Sequence, residues 1–217
     1  MDYEKTRHLM IEQQIRPWEV LDTVVLDLLA KVKREDFVPS VYRSLAFVDM
    51  AIPLGNGEFM WEPKLEARVL QALEIKRGDR VLEVGTGSGY LTALLASLAQ
   101  QVISIEIDPA LKDEAEKKLK AHGLENVTVK VGDAARDWSG DGKFDVIILT
   151  GATPMLPEAY LGRLNPGGRL FAIVGEGTVQ TATLVTCVAA GACQRAGLFE
   201  IRVKALANVL EPERFEF

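Results

Sequence analysis

The run Glu83, Val84, Gly85, Thr86, Gly87, Ser88, Gly89 and Tyr90 carries the most specific chemistry in the sequence. Residues without a Cβ let backbone amides approach a ligand closely, and a strand before with a helix after would aim those amides at an anionic or polar group. The spacing separates two ligand classes. A dinucleotide fingerprint wants its third glycine at the position that is Tyr90 here, whereas the third glycine is Gly89. Glu83 also precedes the loop, and a carboxylate there suits a ligand carrying an ammonium group better than one carrying a pyrophosphate. The loop is therefore read as a site for S-adenosylmethionine rather than NAD, with S-adenosylhomocysteine as the product.

Two acids extend the pattern. Glu106 closes the next strand-like run, where a carboxylate can accept hydrogen bonds from both ribose hydroxyls. Asp133 follows Gly132 at the end of the run after that, where an adenine amino group could be recognised. Ile107 and Ala134 flank these acids and are read as further cofactor contacts. In an open parallel sheet such ligands lie across the carboxyl ends of the strands, so all of these residues would line one crevice. The blander readings are a glycine turn that serves only strand-to-helix packing, and acids that only cap helices.

The elements that must position this set are legible as short apolar runs. Arg80–Val84, Gln101–Glu106, Val127–Val131, Phe144–Thr150 and Arg169–Val174 read as parallel strands buried on both faces. Helical patterns separate them at Tyr90–Ala99, Leu111–His122 and Leu156–Leu164, with Gly123 and Gly167 as stops. Alternation of this kind predicts an α/β fold, a doubly wound Rossmann-like sheet with right-handed crossovers. Thr178–Ala189 and Leu198–Val209 read as an antiparallel strand pair at the sheet edge, and nothing is read from the last eight residues. From Tyr3 to Ala30 apolar residues recur at helical spacing with a break at Pro17, an N-terminal helical cap. Pro53, Gly55 and Gly57 mark Ala51–Gly57 as a loop, and Pro63 opens a helix. The chain is read as a single domain, residues 1–78 forming the cap and substrate loop and residues 79–217 the cofactor-binding core.

Composition narrows the partners. With 217 residues, 48% of them hydrophobic and 26% charged, the chain can bury a substantial core and is not of disordered composition. A formal net charge of -6 argues against nucleic acid, because phosphate binding needs an excess of Lys and Arg. The apolar run Phe144–Thr150 is far shorter than the roughly 20 residues that span a bilayer, so no membrane segment is expected. The polar N-terminus lacks the pattern of a signal peptide, which leads to the expectation of a cytoplasmic protein, monomeric or homodimeric. Cys187 and Cys193 are read as free thiols, and the two His and two Cys are too scattered for a metal site.

From about Arg7 to about Val174 the sequence resembles the protein-L-isoaspartate O-methyltransferases. The segments that carry the resemblance are Met10 to Arg16, Arg34 to Pro39, Ile52 to Gly57 and Val81 to Tyr90, the first three being particular to that family. The resemblance implies a protein or peptide substrate bearing an isoaspartyl α-carboxylate, and the cofactor roles given above. It adds Thr150 and Gly151 as the strand end bordering the reaction centre. It also exposes a departure. Where the family usually reads glycine, glutamine, threonine, isoleucine, serine, a small or polar residue and proline, this chain reads Gly57, Glu58, Phe59, Met60, Trp61, Glu62 and Pro63. Two hydroxyls near the substrate carboxylate are thus replaced by Phe59 and Trp61, and the family's C-terminal signature is not visible in Ala205 to Phe217.

Methyl transfer to a carboxylate needs no general base, since carboxyl pKa values lie near 4 and the nucleophile is ionised at neutral pH. His8 and His122 are accordingly read as structural or surface residues. Trp61 admits three readings: an anchor of the loop in the core, a lid over the cofactor or an altered acceptor pocket, and an incidental surface residue. The leading expectation is an isoaspartyl methyltransferase. The alternatives are a methyltransferase of the same fold with a different acceptor, and a non-catalytic S-adenosylmethionine-binding protein.

Overall fold

The computed structural model describes residues 2–189 and 191–212. Nine strands form within it: β1 (Ile52–Gly55), β2 (Glu58–Met60), β3 (Arg80–Val84), β4 (Gln101–Glu106), β5 (Val127–Val131), β6 (Phe144–Thr153), β7 (Leu164–Glu176), β8 (Val179–Ala189) and β9 (Ala192–Glu200). Five α-helices accompany them: α1 (Tyr3–Met10), α2 (Thr23–Lys31), α3 (Pro63–Leu73), α4 (Tyr90–Leu98) and α5 (Pro109–Ala121).

The seven-stranded sheet has the order β5-β4-β3-β6-β7-β8-β9. β3 through β7 pair in parallel, and β8 and β9 complete the sheet antiparallel. The chain builds outward from β3 to β5, then returns to lay β6 on the other side of β3. That reversal opens a crevice beyond the carboxyl ends of β3 and β6, the place where a doubly wound sheet binds ligands. The loop Gly85–Gly89 leaves β3 into this crevice.

The period of two along a strand divides the core into two layers. Val81 of β3 packs with the cap helices, α3 and α4, while Leu82 and Val84 join the layer on the opposite face. On that second face the helix expected over Leu156–Leu164 is a six-residue 3-10 turn, Glu158–Arg163, held by the buried Tyr160. A proline at 157 and a glycine at 162 leave too few residues for a stable α-helix there.

Local chemistry accounts for the element ends. Asp22 caps α2 by accepting from Val24 N at 2.8 Å, Asp108 caps α5 by accepting from Ala110 N at 2.8 Å, and Pro63 and Pro109 occupy first-turn positions. The break at Pro17 is real: α1 runs into a π-turn (Ile11–Ile15) and a 3-10 turn (Arg16–Trp18) that ends at Glu19 with φ +60°.

Three further sequence expectations change. Ala51–Gly57 is not an open loop but the front of a hairpin, β1 and β2, turning at Asn56 (φ +51°) and Gly57 (φ +73°), the positive angles that a two-residue turn requires. β9 runs Ala192–Glu200 and not Leu198–Val209, because the chain turns at Gly191 directly after β8 and leaves the sheet after Glu200. That register places Cys193 opposite Cys187 with Cα atoms 4.0 Å apart, and the two form a disulfide rather than free thiols. The pairing follows from strand register, which cysteine counting does not supply.

Candidate active site

The glycine loop is shaped by its neighbours. Gly85 (φ +94°) has no room for a side chain, since a Cβ there would lie 2.2 Å from Thr150 Oγ1. The Thr150 hydroxyl sits 2.8 Å from the carbonyl oxygens of both Val84 and Gly85 and donates between them, tying the end of β6 to the end of β3. Gly87 (φ +52°) faces Leu54 of the hairpin, where a Cβ would lie 3.3 Å from Leu54 Cδ1. Gly89 (φ +82°) instead faces Ala115 of α5, so the third glycine lets two helices pack.

These residues border a cavity of about 650 Å³, within the size range of small-molecule sites. Of the residues singled out from sequence, Gly85, Thr86, Gly87, Ser88, Glu106, Ile107, Asp133, Ala134, Thr150, Gly151, Phe59 and Trp61 line it. Glu106 reaches back from the end of β4, accepting from Gly87 N at 2.8 Å through one oxygen and from Asp108 N at 3.1 Å through the other. Asp133 accepts from Ala135 N at 3.1 Å and from Asn208 Nδ2 at 2.7 Å.

Glu83, Gly89 and Tyr90, expected as cofactor contacts, do not line the cavity. Strand alternation turns Glu83 toward the layer that contains Val81, where it is fully buried. Its Oε2 accepts from Thr92 Oγ1 and Ser104 Oγ, both at 2.6 Å, and Ser104 Oγ lies 2.6 Å from Thr86 Oγ1 of the loop. Among the described residues Oε1 has no hydrogen-bond partner. Burial pushes the Glu83 carboxyl up to about 8, aided by the charge of Glu106 and opposed by the Ser104 and Thr92 hydroxyls. Glu83 therefore braces the loop from behind. Tyr90 begins α4 with its ring buried beneath the Arg34 guanidinium, 5.0 Å from the ring centre, and beside Phe37.

The opposite end of the cavity is aromatic. Trp61 packs edge-on against Phe171 with ring centres 6.3 Å apart, which removes the reading of an incidental surface residue. Its carbonyl accepts from the buried Arg34, which also pairs with Glu66 and donates to Ala46 O at 2.8 Å. Burial raises the Glu66 carboxyl, against the pull of that guanidinium. Phe59, on the hairpin, is 49% exposed at the rim.

Residues beyond β9 were not anticipated. The chain from Ile201 to Ala207 crosses the carboxyl end of β6 and walls the cavity, Ala152 N donating to Lys204 O and Leu206 N to Ala152 O, each at 2.9 Å. Leu206 packs so tightly on Gly151 that a Cβ at Gly151 would lie 2.8 Å from it. No local pattern in 201–207 announces a cavity wall, because its role depends on a bridge to β6 far back in the chain.

Comparison with known proteins decides the family. A model of the protein-L-isoaspartate(D-aspartate) O-methyltransferases matches residues 5–204. The chain belongs to that family. Membership makes it an S-adenosylmethionine-dependent O-methyltransferase by class. Among relatives, a protein-L-isoaspartate O-methyltransferase of Petrotoga mobilis is 37% identical over 187 residues, covering 86% of this chain and 88% of that protein. One from Myxococcus xanthus is 40% identical over 156 residues, 72% of this chain and 74% of its own length. A crystal structure of a protein-L-isoaspartate O-methyltransferase from Plasmodium falciparum, in complex with S-adenosyl-L-homocysteine, shares the fold with a TM-score of 0.79 at 19% identity, covering 95% of this chain and 98% of that one. The family match ends at residue 204, just short of Ala205 to Phe217, where the family's C-terminal signature is not visible in the sequence.

Proposed function

We propose that this protein methylates the isoaspartyl α-carboxylate of damaged proteins and peptides, using S-adenosylmethionine bound across the carboxyl ends of β3, β4 and β5. One observation carries the reading: the glycine loop at the reversal of the sheet is locked between Thr150 behind Gly85 and Glu106 beneath Gly87. The residues present fit that cofactor. Gly85 and Gly87 make a cradle that side chains would fill, Glu106 is the strand-end carboxylate suited to ribose hydroxyls, and Asp133 lies where an adenine amino group can be met. Ser88, Ile107, Ala134 and Gly151 complete the wall.

When bound, the cofactor supplies an electrophilic methyl group on a sulfonium. The acceptor carboxylate is ionised at neutral pH, so the protein's task is to align and to exclude water, effects worth roughly 7–11 kcal/mol when geometry is good. The hairpin and residues 201–207 enclose the space for that alignment. Asn56 Nδ2 reaches Asp108 Oδ2 at 3.1 Å on one side and Glu58 pairs with Lys204 on the other.

Residues 1–78 act as cap and substrate loop and residues 79–217 as the cofactor core of one catalytic unit. A net charge of -6 supports a peptide or protein partner rather than nucleic acid. Among the described residues no helix is long and apolar enough to cross a membrane.

The deciding experiment offers labelled S-adenosylmethionine with paired peptides that differ only in aspartyl or isoaspartyl linkage. Selective labelling of the isoaspartyl peptide is expected. The aromatic wall of Phe59 and Trp61 favours a second reading, the same transfer to a different acceptor; cofactor binding without labelling of either peptide would select it over the first.

A further inference from the structure

Arg202 is the charge in the cavity that nothing above employs. Beyond β9 the chain runs extended and is pinned by the buried Gln180: Ile201 N donates to Gln180 O at 3.1 Å, Val203 N to Gln180 Oε1 at 2.8 Å, and Gln180 Nε2 to Val203 O at 3.2 Å. Ile201 and Val203 turn to the core. Alternation then puts Arg202 and Lys204 on the face that meets the hairpin. The order of contacts along this segment is an axis through the cavity. Asn208 bonds Asp133, Leu206 packs on Gly85 and Gly151, Lys204 reaches Glu58, and Arg202 lies further still toward the aromatic end.

The carboxylates of that end are already compensated. Glu58 pairs with Lys204, Glu62 with Lys64 and Glu66 with Arg34. Arg202 lines the cavity, is solvent-exposed, and pairs with no carboxylate among the described residues. A guanidinium is charged at every working pH and offers a planar fork of donors matched to a carboxylate.

We propose that Arg202 holds the carboxylate of the methyl acceptor, supplying from the segment after β9 the recognition that Phe59 and Trp61 cannot supply at positions where hydroxyls are usual in the family. One N–H engages one carboxylate oxygen and leaves the other open to the methyl group. The proposal rests on the isoaspartyl reading of the site. It makes Arg202 a specificity determinant, not a cofactor ligand, although the cofactor's methionyl end carries a carboxylate too.

The test compares the wild-type protein with Arg202→Ala and Arg202→Lys, measuring transfer to an isoaspartyl peptide by steady-state kinetics and S-adenosylhomocysteine affinity by calorimetry. Arg202→Ala is expected to raise KM for the peptide roughly tenfold to a hundredfold, the span of a hydrogen bond to a charged group. Calorimetry should return an unchanged cofactor affinity, which also certifies the fold, and Arg202→Lys should recover part of the loss. An unchanged KM in the alanine variant overturns the proposal while leaving the isoaspartyl reading intact. A loss of S-adenosylhomocysteine affinity overturns it by moving Arg202 to the cofactor. A wild-type protein that binds S-adenosylhomocysteine yet labels no isoaspartyl peptide overturns the underlying reading and the proposal with it.

Discussion

Thr150 and Gly85 are in such close contact that a single methyl group on Gly85 would stand 2.2 Å from the threonine hydroxyl oxygen. The contact joins the two strands that flank the reversal of the sheet, so the geometry of the cofactor loop depends on a residue 65 positions later in the chain. Gly85→Ala is therefore expected to be destabilising by about 1–3 kcal/mol, both from the clash and from its φ of +94°. Thr150→Val should cost about 1 kcal/mol by leaving two carbonyl oxygens without their donor. Denaturant titration of both variants checks this; a Gly85→Ala variant as stable as wild type would contradict the packing.

Gly87→Val is expected to abolish binding of S-adenosylhomocysteine in calorimetry. The substitution adds a β-branched side chain at φ +52°, crowds Leu54 Cδ1 and disturbs the amide that bonds Glu106. Near-normal affinity would remove the loop from the cofactor site.

Glu83 links stability to pH. Its folded-state value of about 8 lies above the ordinary 4.5, so between those values the folded protein keeps a proton that the unfolded chain releases. Stability contributed through Glu83 is thus full below about pH 4.5 and falls as pH rises toward 8. Glu83→Gln keeps the shape and removes the titration, so its Tm relative to wild type should climb from pH 5 to pH 8. Burial also raises the Glu66 carboxyl, to about 8 against the pull of Arg34, and Glu83→Gln isolates the Glu83 share because it leaves the Arg34–Glu66 pair in place. A Tm difference independent of pH would show Glu83 to be ionised in the folded protein.

Trp61→Ser should change acceptor preference more than cofactor affinity, because the indole lies at the hairpin end of the cavity against Phe171, away from Asp133. Paired kinetics with isoaspartyl peptides and calorimetry with S-adenosylhomocysteine separate the two effects. Impaired cofactor binding with unaltered acceptor kinetics would make Trp61 part of the cofactor site instead.

The Cys187–Cys193 bond closes a short loop, and loop entropy assigns it roughly 2 kcal/mol. Treatment with a reductant, or Cys187→Ser, should lower Tm while leaving S-adenosylhomocysteine affinity unchanged, since neither cysteine lines the cofactor cavity. Mass spectrometry after alkylation reports the bond directly; full labelling of both thiols without reductant would show that it does not form.

The parallel core was legible because each of its strands is buried on both faces and so reads as a continuous apolar run, and because Gly85, Gly87 and Gly89 sit where such a strand must turn into a helix. The strand-end acids Glu106 and Asp133 followed from the same logic. Their identities were set by local rules: hydrophobic period, glycine spacing and position at a strand terminus. The resemblance carried by Arg34–Pro39 and Ile52–Gly57 points to the family from sequence alone.

Tertiary structure decided what depends on contacts between distant segments. Glu83 could not be seen to face inward, because the choice between cavity and core turns on which layer strand alternation assigns to it. The cystine needed the register of β8 on β9, and the wall formed by Ile201–Ala207 needed the bridge from Ala205 to Ala152. Sequence spacing specifies the chemistry available at the end of each strand. Only the order in which the strands are laid side by side brings those ends, the hairpin and Arg202 around one cavity.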